Sequence, residues 1–582
     1  MSIFIWFSNL SKYLIPKNIA ICLFCFLVFR CFLFFTLPVQ DIIGWIADDS
    51  FYYQKLACNY LADGSKWSFD MHSSTSGFHI LYAYLLFVFN WVFGCSHWRI
   101  VFLCIGLLAS TSIALSFYFT MSLVKRHFTP NSHLPVAYVY FSPLVFLQVT
   151  SLMESWISIL LSSGTFLFLF FGFSPNGYSN CKYARFKSAF VASPLKFIVI
   201  YLLGLCATLS RSDFIIGAAA LAISSFIFNS KKDYHNLFKL DFLDLLRKSL
   251  ILFFGSVCGY MLVALHSFFI SGSYVQGSAA TKFYWSSVEG HSPLQFILTL
   301  FRLLLYPLRI FTNEQELVFH VKQILLLMSP RILLLSFIIL VLLIIAAFKF
   351  LPYFRGVFRS FLIYKFSPPG LFMLVSSFTV ILSYILFYSF NSRAQQPWYI
   401  CQVIVPLSIV FSYLLARLFS ESRLANKSSL FVVFLLFSGM QGVWFSMWPS
   451  QLGLLNAGKY LSKHRLSGSV GSWNAGTISF FSQQPIVNLD GLVNNDIINY
   501  LDDSSLYKYI NSRKIHYIAD FEAMFLNPEF PRRGGYSKGH LQRCVKKLWQ
   551  IDGISPAMLD PFRFYGTNVY LYRVDQACLG KI

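Results

Sequence analysis

The chain is 582 residues long, 56% hydrophobic and only 12% charged, with 66 phenylalanines. Soluble domains carry roughly 25% charged residues, so this composition excludes a soluble enzyme and points to a membrane protein. The formal net charge of +22 would suggest nucleic acid as the partner of a soluble chain. In a membrane protein Lys and Arg collect in cytoplasmic loops instead, and no nucleic-acid partner is expected.

In chain order, apolar runs suited to helices lie at 18–39, 78–94, 99–123, 135–150, 155–173, 196–210, 213–229, 249–270, 331–351, 368–390, 398–420 and 428–448. Several approach the roughly 20 residues needed to span the hydrocarbon. The runs at 135–150 and 196–210 are short, and 293–311, which carries Arg302 and Arg309, suits the interface. The N-terminal run is too long for a cleavable signal and has no clear cleavage site. Arg30 sits in the middle of the first run with no partner nearby in sequence.

The charges set the topology. Loops 124–134, 174–196, 230–248, 351–366 and 417–427 are basic and should face the cytoplasm. Lys12 and Lys17 place the N-terminus inside, so the acidic loop 40–77 lies outside. Counting every run as a crossing would put Lys125 and Arg126 outside. If either 78–94 or 135–150 fails to cross, every later loop obeys the rule, with about eleven crossings and an external tail. The expected fold is an α-helical polytopic membrane protein of about 11–13 transmembrane helices with a small C-terminal α/β domain. Residues 1–448 form the membrane module and 449–582 the extracytoplasmic domain.

The tail is richer in Asp, Asn, Lys, Gly and Pro and has no spanning run. Ser469–Ser472, Pro485–Leu489, Ile515–Ala519 and Asn568–Arg573 read as strands, and Ser504–Arg513 as an amphipathic helix. VGSWNAG has no GxGxxG spacing, which argues against a dinucleotide site. None of the twelve cysteines has metal-site spacing. In an external tail, Cys544 and Cys578 could pair.

The chemistry-bearing residues gather at the expected outer ends of the runs. Asp48 and Asp49 open IADDSFYYQKLACNYLADG, whose apolar residues recur at helical spacing, as in a helix lying along the membrane with tyrosines at headgroup depth. One acid at a helix start is explained as a cap. Two beside a bilayer suggest a function for at least one. His79 heads the run after SSTSGFH, with backbone or headgroup anchoring as the plain alternative. Glu154 heads another run, and Arg211 and Asp213 separate two more. A charge at membrane depth is a functional candidate by default, against the plainer reading of an Arg–Asp pair holding a turn. The segment 271–330 reads as a long external loop containing Lys282, Arg302 and Arg309. NSRAQQPWY places Arg393 and Tyr399 at the outer end of a span. Cationic groups at that level suit a lipid phosphate, and Arg can grip it with two hydrogen bonds.

These residues, in this order, resemble the GT-C superfamily of membrane glycosyltransferases that use polyprenyl-phosphate-linked sugars. Many bacterial members carry a loop like DDaFYYlkiArnlaeG followed by TsGFHPLW; here Asp48-Asp49-Ser50-Phe51-Tyr52-Tyr53 is followed by Thr75-Ser76-Gly77-Phe78-His79. Leu152-Met153-Glu154-Ser155 is similar to a GMET-like stretch, and Leu209-Ser210-Arg211-Ser212-Asp213 to an L-[ST]-R-x-D stretch. Trp398-Tyr399 matches the WY before a late span, and Asn488 to Asn494 looks like vvDLdGLvN. Ile80 and Ser212 stand where the family has proline, and Ser155 where it has threonine; none of these departures removes a charge.

The resemblance implies an inverting transfer in a plasma (inner) membrane, with an external site. Asp48 or Asp49 would be general base toward an acceptor hydroxyl. His79, Glu154, Arg211, Asp213, Lys282, Arg302, Arg393 and Tyr399 would bind substrate and leaving phosphate. The implied partners are a polyprenyl-phosphate-sugar donor, a glycan, lipid or protein acceptor, and membrane lipid. No cofactor is expected; a divalent ion held by Asp48, Asp49 and Glu154 is the less favoured alternative. A flippase for lipid-linked sugars, or a non-catalytic assembly protein, are the competing readings. A flippase should show repeated halves and broken helices at the midplane, and no such repeat is visible.

Overall fold

The computed structural model describes residues 16–582 except 65, 129–132, 171–193, 231–240, 290–292, 307–367, 390–395, 421–434, 437, 444, 449, 503, 523, 525–533 and 553–567. The expected run at 331–351 and the residues Arg309 and Arg393 therefore lie outside the described residues.

The membrane module opens with α1 (Pro16–Thr36), which is followed by α2 (Asp48–Asp63), α3 (Ile80–Phe93) and the long α4 (Trp98–His127). Two short helices, α5 (His133–Tyr140) and α6 (Pro143–Thr150), lead into α7 (Ser155–Phe170). Then come α8 (Leu195–Ser210), α9 (Phe214–Ser230), α10 (Asp241–Ser271), α11 (Gly277–Glu289), α12 (Pro293–Leu304), α13 (Pro368–Ser389) and α14 (Cys401–Ser420). Among the described residues, five helical segments are long and apolar enough to cross a membrane, and α6 with α7 makes a sixth that is bent by 120°. The chain is a multi-pass α-helical membrane protein.

The parity question is answered near the N-terminus. The guanidinium of Arg99, at the start of α4, donates to the carbonyls of Phe35 and Leu37 at the end of α1, both at 3.0 Å. Residues 37–99 thus begin and end on one side. A Cys58–Cys95 disulfide ties α2 to the end of α3. The apolar α3, at 14 residues, therefore lies within a segment that returns to the side it left, which makes 78–94 the run that fails to cross. The basic last turn of α4, with Lys125 and Arg126, then sits at the opposite end from loop 40–79, as the charge rule requires.

Arg30 faces the module interior and is fully buried. It donates to Thr150 Oγ1 at 3.0 Å and to the carbonyls of Gly442, Val443 and Phe445, and it lies 4.5 Å from the Trp45 ring centroid. Where the helical backbone ends near Val443, its last carbonyls lack intrahelical donors; Arg30 supplies them. Its partners lie more than 100 positions away in sequence, which is why it looked orphaned.

The tail begins with α15 (Gln451–Lys463) and continues through β1 (Ser469–Ser472), α16 (Ala475–Ser482), β2 (Ile486–Asn488), α17 (Leu506–Ser512), β3 (Ile515–Phe521), β4 (Val545–Ile551) and β5 (Val569–Val574). The sheet order is β2-β1-β3-β5-β4. β1 is parallel to β2 and β3, whereas β5 is antiparallel to both β3 and β4. Sequence patterning found four of these strands and missed β4, where five consecutive residues from Lys546 to Gln550 are exposed and no face is apolar throughout. A Cys544–Cys578 disulfide closes the tail.

The two parts share one apolar core. It runs from Leu23 and Leu27 of α1 through Phe51 and Leu56 of α2 to Ala475 and Ile478 of α16 and Val470 of β1. Phe51 packs on Phe480 and Phe481, with ring centroids 5.1 and 5.5 Å apart. Tyr52 and Tyr53 are buried rather than held at headgroup depth: Tyr52 meets Trp473 and Ala475 at the start of α16, and Tyr53 packs edge-on to Tyr82 of α3 at 5.0 Å.

Candidate active site

The two adjacent acids are divided by the structure. Asp48 and Asp49 occupy the first turn of α2, and consecutive helical residues point about 100° apart. Asp48 turns to the tail. Its carboxylate accepts from Gly476 N at 3.1 Å, Thr477 N at 2.7 Å and Thr477 Oγ1 at 2.6 Å. It therefore occupies the N-terminus of α16, where backbone N–H groups and the helix dipole favour negative charge. Burial pushes its carboxyl up from the ordinary value of 3.8, against the pull of the Thr477 and Gly476 donors.

The VGSWNAG stretch is equally committed. Asp520, fully buried at the end of β3, accepts from Ser472 Oγ, Trp473 N, Asn474 N and Asn474 Nδ2 at 2.6–2.9 Å. Tyr52 Oη accepts from Ala475 N at 3.1 Å. The donors a phosphate would need are taken, which is the physical reason this loop is no nucleotide site.

Asp49 instead faces a cavity at one end of the helices. Asp49, Tyr53, His79, Glu154, Lys282, Trp398, Leu492 and Val493 line one chamber of about 410 Å³ of empty space. A second chamber, about 710 Å³ with its mouth, is lined by Arg211, Asp213, Phe283, Tyr388 and Tyr399. His79, Ser278 and Lys282 border both.

Each polar group arrives from a different element. Glu154 lies in the bend between α6 and α7. That bend is held by Ala47 N donating to the Ser151 carbonyl at 3.4 Å, by the Ser50 hydroxyl on the same oxygen, and by Tyr82 Oη on the Leu152 carbonyl. Arg211 and Asp213 form the turn between α8 and α9, Lys282 lies on α11, and Tyr399 lies in a 3-10 turn at Pro397–Ile400.

Arg211 is almost saturated. Its Nε and Nη2 grip both oxygens of Asp213 at 3.1 and 2.9 Å, its Nη1 reaches Glu154 Oε1 at 2.6 Å, and its Nη2 also reaches Tyr388 Oη at 3.3 Å. Four of its five N–H donors are thus used inside the protein. Tyr388, which also donates to Asp213, is stacked between Phe296 and Tyr399 at 5.2 and 5.4 Å. His79 Nε2 lies 3.4 Å from the same Glu154 oxygen. Burial is the main force lowering its imidazolium to about 4, so the ring is neutral at ordinary pH. Lys282 sits 4.8 Å from the Tyr399 ring centroid and borders both chambers.

Asp49, His79, Glu154, Arg211, Asp213, Lys282 and Tyr399 are therefore brought together. Arg302, in the last turn of α12, is not among the lining residues. The segment 271–330 is not a plain loop in its described part: α11 and α12 form helices, and α12 packs Phe296 onto the site while Tyr138 Oη bonds the Leu304 carbonyl at 2.7 Å. Of the three carboxylates considered for a cation, Asp49 and Glu154 line the chamber, whereas Asp48 lies against the start of α16. Among the described residues no cluster of His, Cys, Asp and Glu is disposed to hold a metal. Sequence reasoning missed Tyr388, which sits in an unbroken apolar run with no signal. It also missed Leu492 and Val493, which are over 400 positions from Asp49.

The tail reaches the site through the loop after β2, which meets the loop at Thr75–Gly77. Asn495 Oδ1 accepts from Thr75 Oγ1 at 3.1 Å and Ser76 N at 3.3 Å, while its Nδ2 donates to Ser76 Oγ at 3.1 Å. A Cβ on Gly77 would collide with the Leu492 carbonyl, so glycine lets the two loops touch.

Fold and site together define a multi-pass membrane protein with a charged cavity at one end of its helices, walled on one side by a mixed α/β domain. A family profile described as a domain of unknown function, DUF8728, matches residues 448–572. No curated protein sequence matches the chain. Among solved structures the chain is similar to ArnT from Cupriavidus metallidurans bound to undecaprenyl phosphate, at 10% identity and TM-score 0.47, over 91% of this chain and 96% of that one. The same enzyme in the apo state gives 10% identity and TM-score 0.48, over 93% and 96%. The Archaeoglobus fulgidus oligosaccharyltransferase in complex with Zn and sulfate gives 13% identity and TM-score 0.45, over 86% of this chain and 68% of that one. These are likenesses of overall fold at low identity; the chemistry of this chain is argued from its own residues.

Proposed function

We propose that the protein is a membrane glycosyltransferase of the GT-C kind that moves a sugar from a polyprenyl-phosphate carrier to an acceptor hydroxyl on the extracytoplasmic face. The observation that carries this reading is that a carboxylate, Asp49, and an ammonium, Lys282, line one cavity at the outer helix ends. In the proposed step the acceptor oxygen attacks the anomeric carbon and Asp49 takes its proton. The bond from that carbon to the phosphate oxygen breaks, and the phosphate leaves onto Lys282. A single displacement of this kind inverts the anomeric centre. A positioned base contributes about 10²–10⁴-fold, and fixed charge on the leaving oxygen commonly contributes more. Arg211 holds Glu154 and Asp213 in place rather than gripping phosphate with two hydrogen bonds, since its donors are nearly used up. The second chamber carries Phe283 and Phe387, both well exposed, an apolar opening suited to a prenyl chain.

The side of the membrane is supported by two disulfides, Cys58–Cys95 and Cys544–Cys578, since such bonds persist in oxidising compartments. In membranes supplied with a labelled lipid-phosphate sugar, Asp49→Asn should lower transfer at least about 100-fold, whereas Asp48→Asn should keep most of it. Full transfer by a stably inserted Asp49→Asn protein would refute the reading.

A further inference from the structure

The outer part of the tail sheet carries a row of side chains that the cavity chemistry does not use. In the β4–β5–β3 register, Lys546 stands directly opposite Arg573, and Arg573 opposite Tyr517. Lys546 and Arg573 are both exposed. Among the described residues neither enters an ion pair. Like charges directly opposite on a sheet repel and destabilise the pairing, so their neighbourhood is not explained by folding.

Beside them on the same face, Trp549 is 55% exposed and stacks at 6.2 Å on Tyr460 of α15. The Tyr460 ring in turn lies 4.5 Å from that of His464, tilted by 38°. A bulge between Lys547 and Trp549 brings Trp549 opposite Leu571, onto the face that carries Arg573 and Lys546. The result is an aromatic shelf next to two cations that enter no ion pair among the described residues.

From this we infer that the outer face of the tail, built by Tyr460, Trp549, Lys546, Arg573 and Tyr517, is a docking surface for an acidic glycan. A sugar ring presents C–H groups to an aromatic face, and Trp is the largest such face. The carboxylates or phosphates of an acidic glycan neutralise Lys546 and Arg573, with Arg able to take two oxygens at once. Such a partner removes the repulsion that the bare sheet carries. An anionic bilayer fits less well. Helix α15 starts at the membrane module, where Trp448 N bonds the Gly44 carbonyl, and runs past Asn456, which bonds the Asp552 carbonyl at the end of β4. Tyr460 and His464 follow one and two turns further on, so the cationic pair at the start of β4 lies at the end of the helix away from the module. The inference rests on this surface alone and stands apart from the catalytic reading.

The test uses the full chain in nanodiscs of neutral phosphatidylcholine. Binding of polygalacturonate oligomers is measured against neutral dextran oligomers of equal length. The expected result is binding of the acidic oligomer only, weakening as salt is raised. Trp549→Ala and the double variant Lys546→Ser with Arg573→Ser should each lower the affinity about tenfold or more, while Lys581→Ser should not. All these side chains are exposed, and a thermal melt checks that the variants remain folded. Equal binding by wild type and variants, equal binding of dextran, or no binding at all would overturn the proposal. So would equally tight, equally variant-sensitive capture of phosphatidylglycerol vesicles.

Discussion

Asp48 and Asp49 are neighbours in the chain with different work, because one helical step separates their directions. Asp48 accepts three hydrogen bonds from the start of α16; Asp49 faces the cavity. Two further predictions belong at this scale. Lys282→Met removes the cation that borders both chambers and should lower sugar transfer about 100-fold, the usual effect of deleting one charge-stabilising donor. Single-turnover rates on the detergent-solubilised enzyme measure it. Lys282→Met transfer at wild-type speed would mean that the leaving oxygen is stabilised elsewhere. His79 is held neutral above pH about 4, so it contributes no break near its ordinary value of 6.5. The rate profiles of wild type and His79→Gln between about pH 5 and 8 should have the same shape, whatever their heights.

At the scale of elements, the seat of the tail depends on buried carboxylates. The folded values of Asp48 and Asp520 are raised by burial, partly offset by their hydrogen-bond donors. For an acid whose folded value is raised, the favourable contribution is complete below the ordinary value and is lost as pH rises through the folded one. Asp520→Asn removes an acceptor of several hydrogen bonds and should lower the melting temperature. The gap between wild type and variant should narrow as pH goes from about 4 to about 7, because only the wild type carries the raised acid. Fluorescence-detected melting at several pH values measures it, and a gap that widens with pH contradicts the burial argument. The bend between α6 and α7 shows the same dependence on distant partners. Leu152 there has φ of +55°, a conformation uncommon for a non-glycine residue. It is held by bonds from Ala47, Ser50 and Tyr82, and it is what aims Glu154 at Arg211.

For the whole molecule, topology and redox chemistry are one question. The disulfides span 37 and 34 residues. Constraint of the unfolded chain is expected to contribute about 4 kcal/mol for each. A Cys544→Ser variant leaves Cys578 without its partner. A membrane-impermeant maleimide added to intact cells, with the outer barrier opened, should label that thiol. Labelling only after the inner membrane is lysed would put the tail in the cytoplasm, and with it the cavity and the proposed base.

Much of this was legible in the chain. Apolar length and scarce charge determined a multi-pass helical protein, because backbone in hydrocarbon must satisfy its own hydrogen bonds. Lys and Arg placement favoured a topology in which one early run fails to cross, without saying which one. The polar residues picked out at run ends and in the segment 271–330 already included Asp49, His79, Glu154, Arg211, Asp213 and Lys282, since a polar group near lipid needs a reason. Tertiary structure decided the rest. It chose α3 as the helix that turns back, through Arg99 and the Cys58–Cys95 bond. It gave Asp48 to the tail and spent Arg211 on two carboxylates. It brought Leu492 and Val493 to a wall of the cavity and found carbonyl partners for Arg30 some 410 positions away. Periodicity reports which face of an element is apolar; it carries no information about which distant backbone donor or carbonyl will meet a given charge, and those meetings separate a structural acid from a candidate catalytic one.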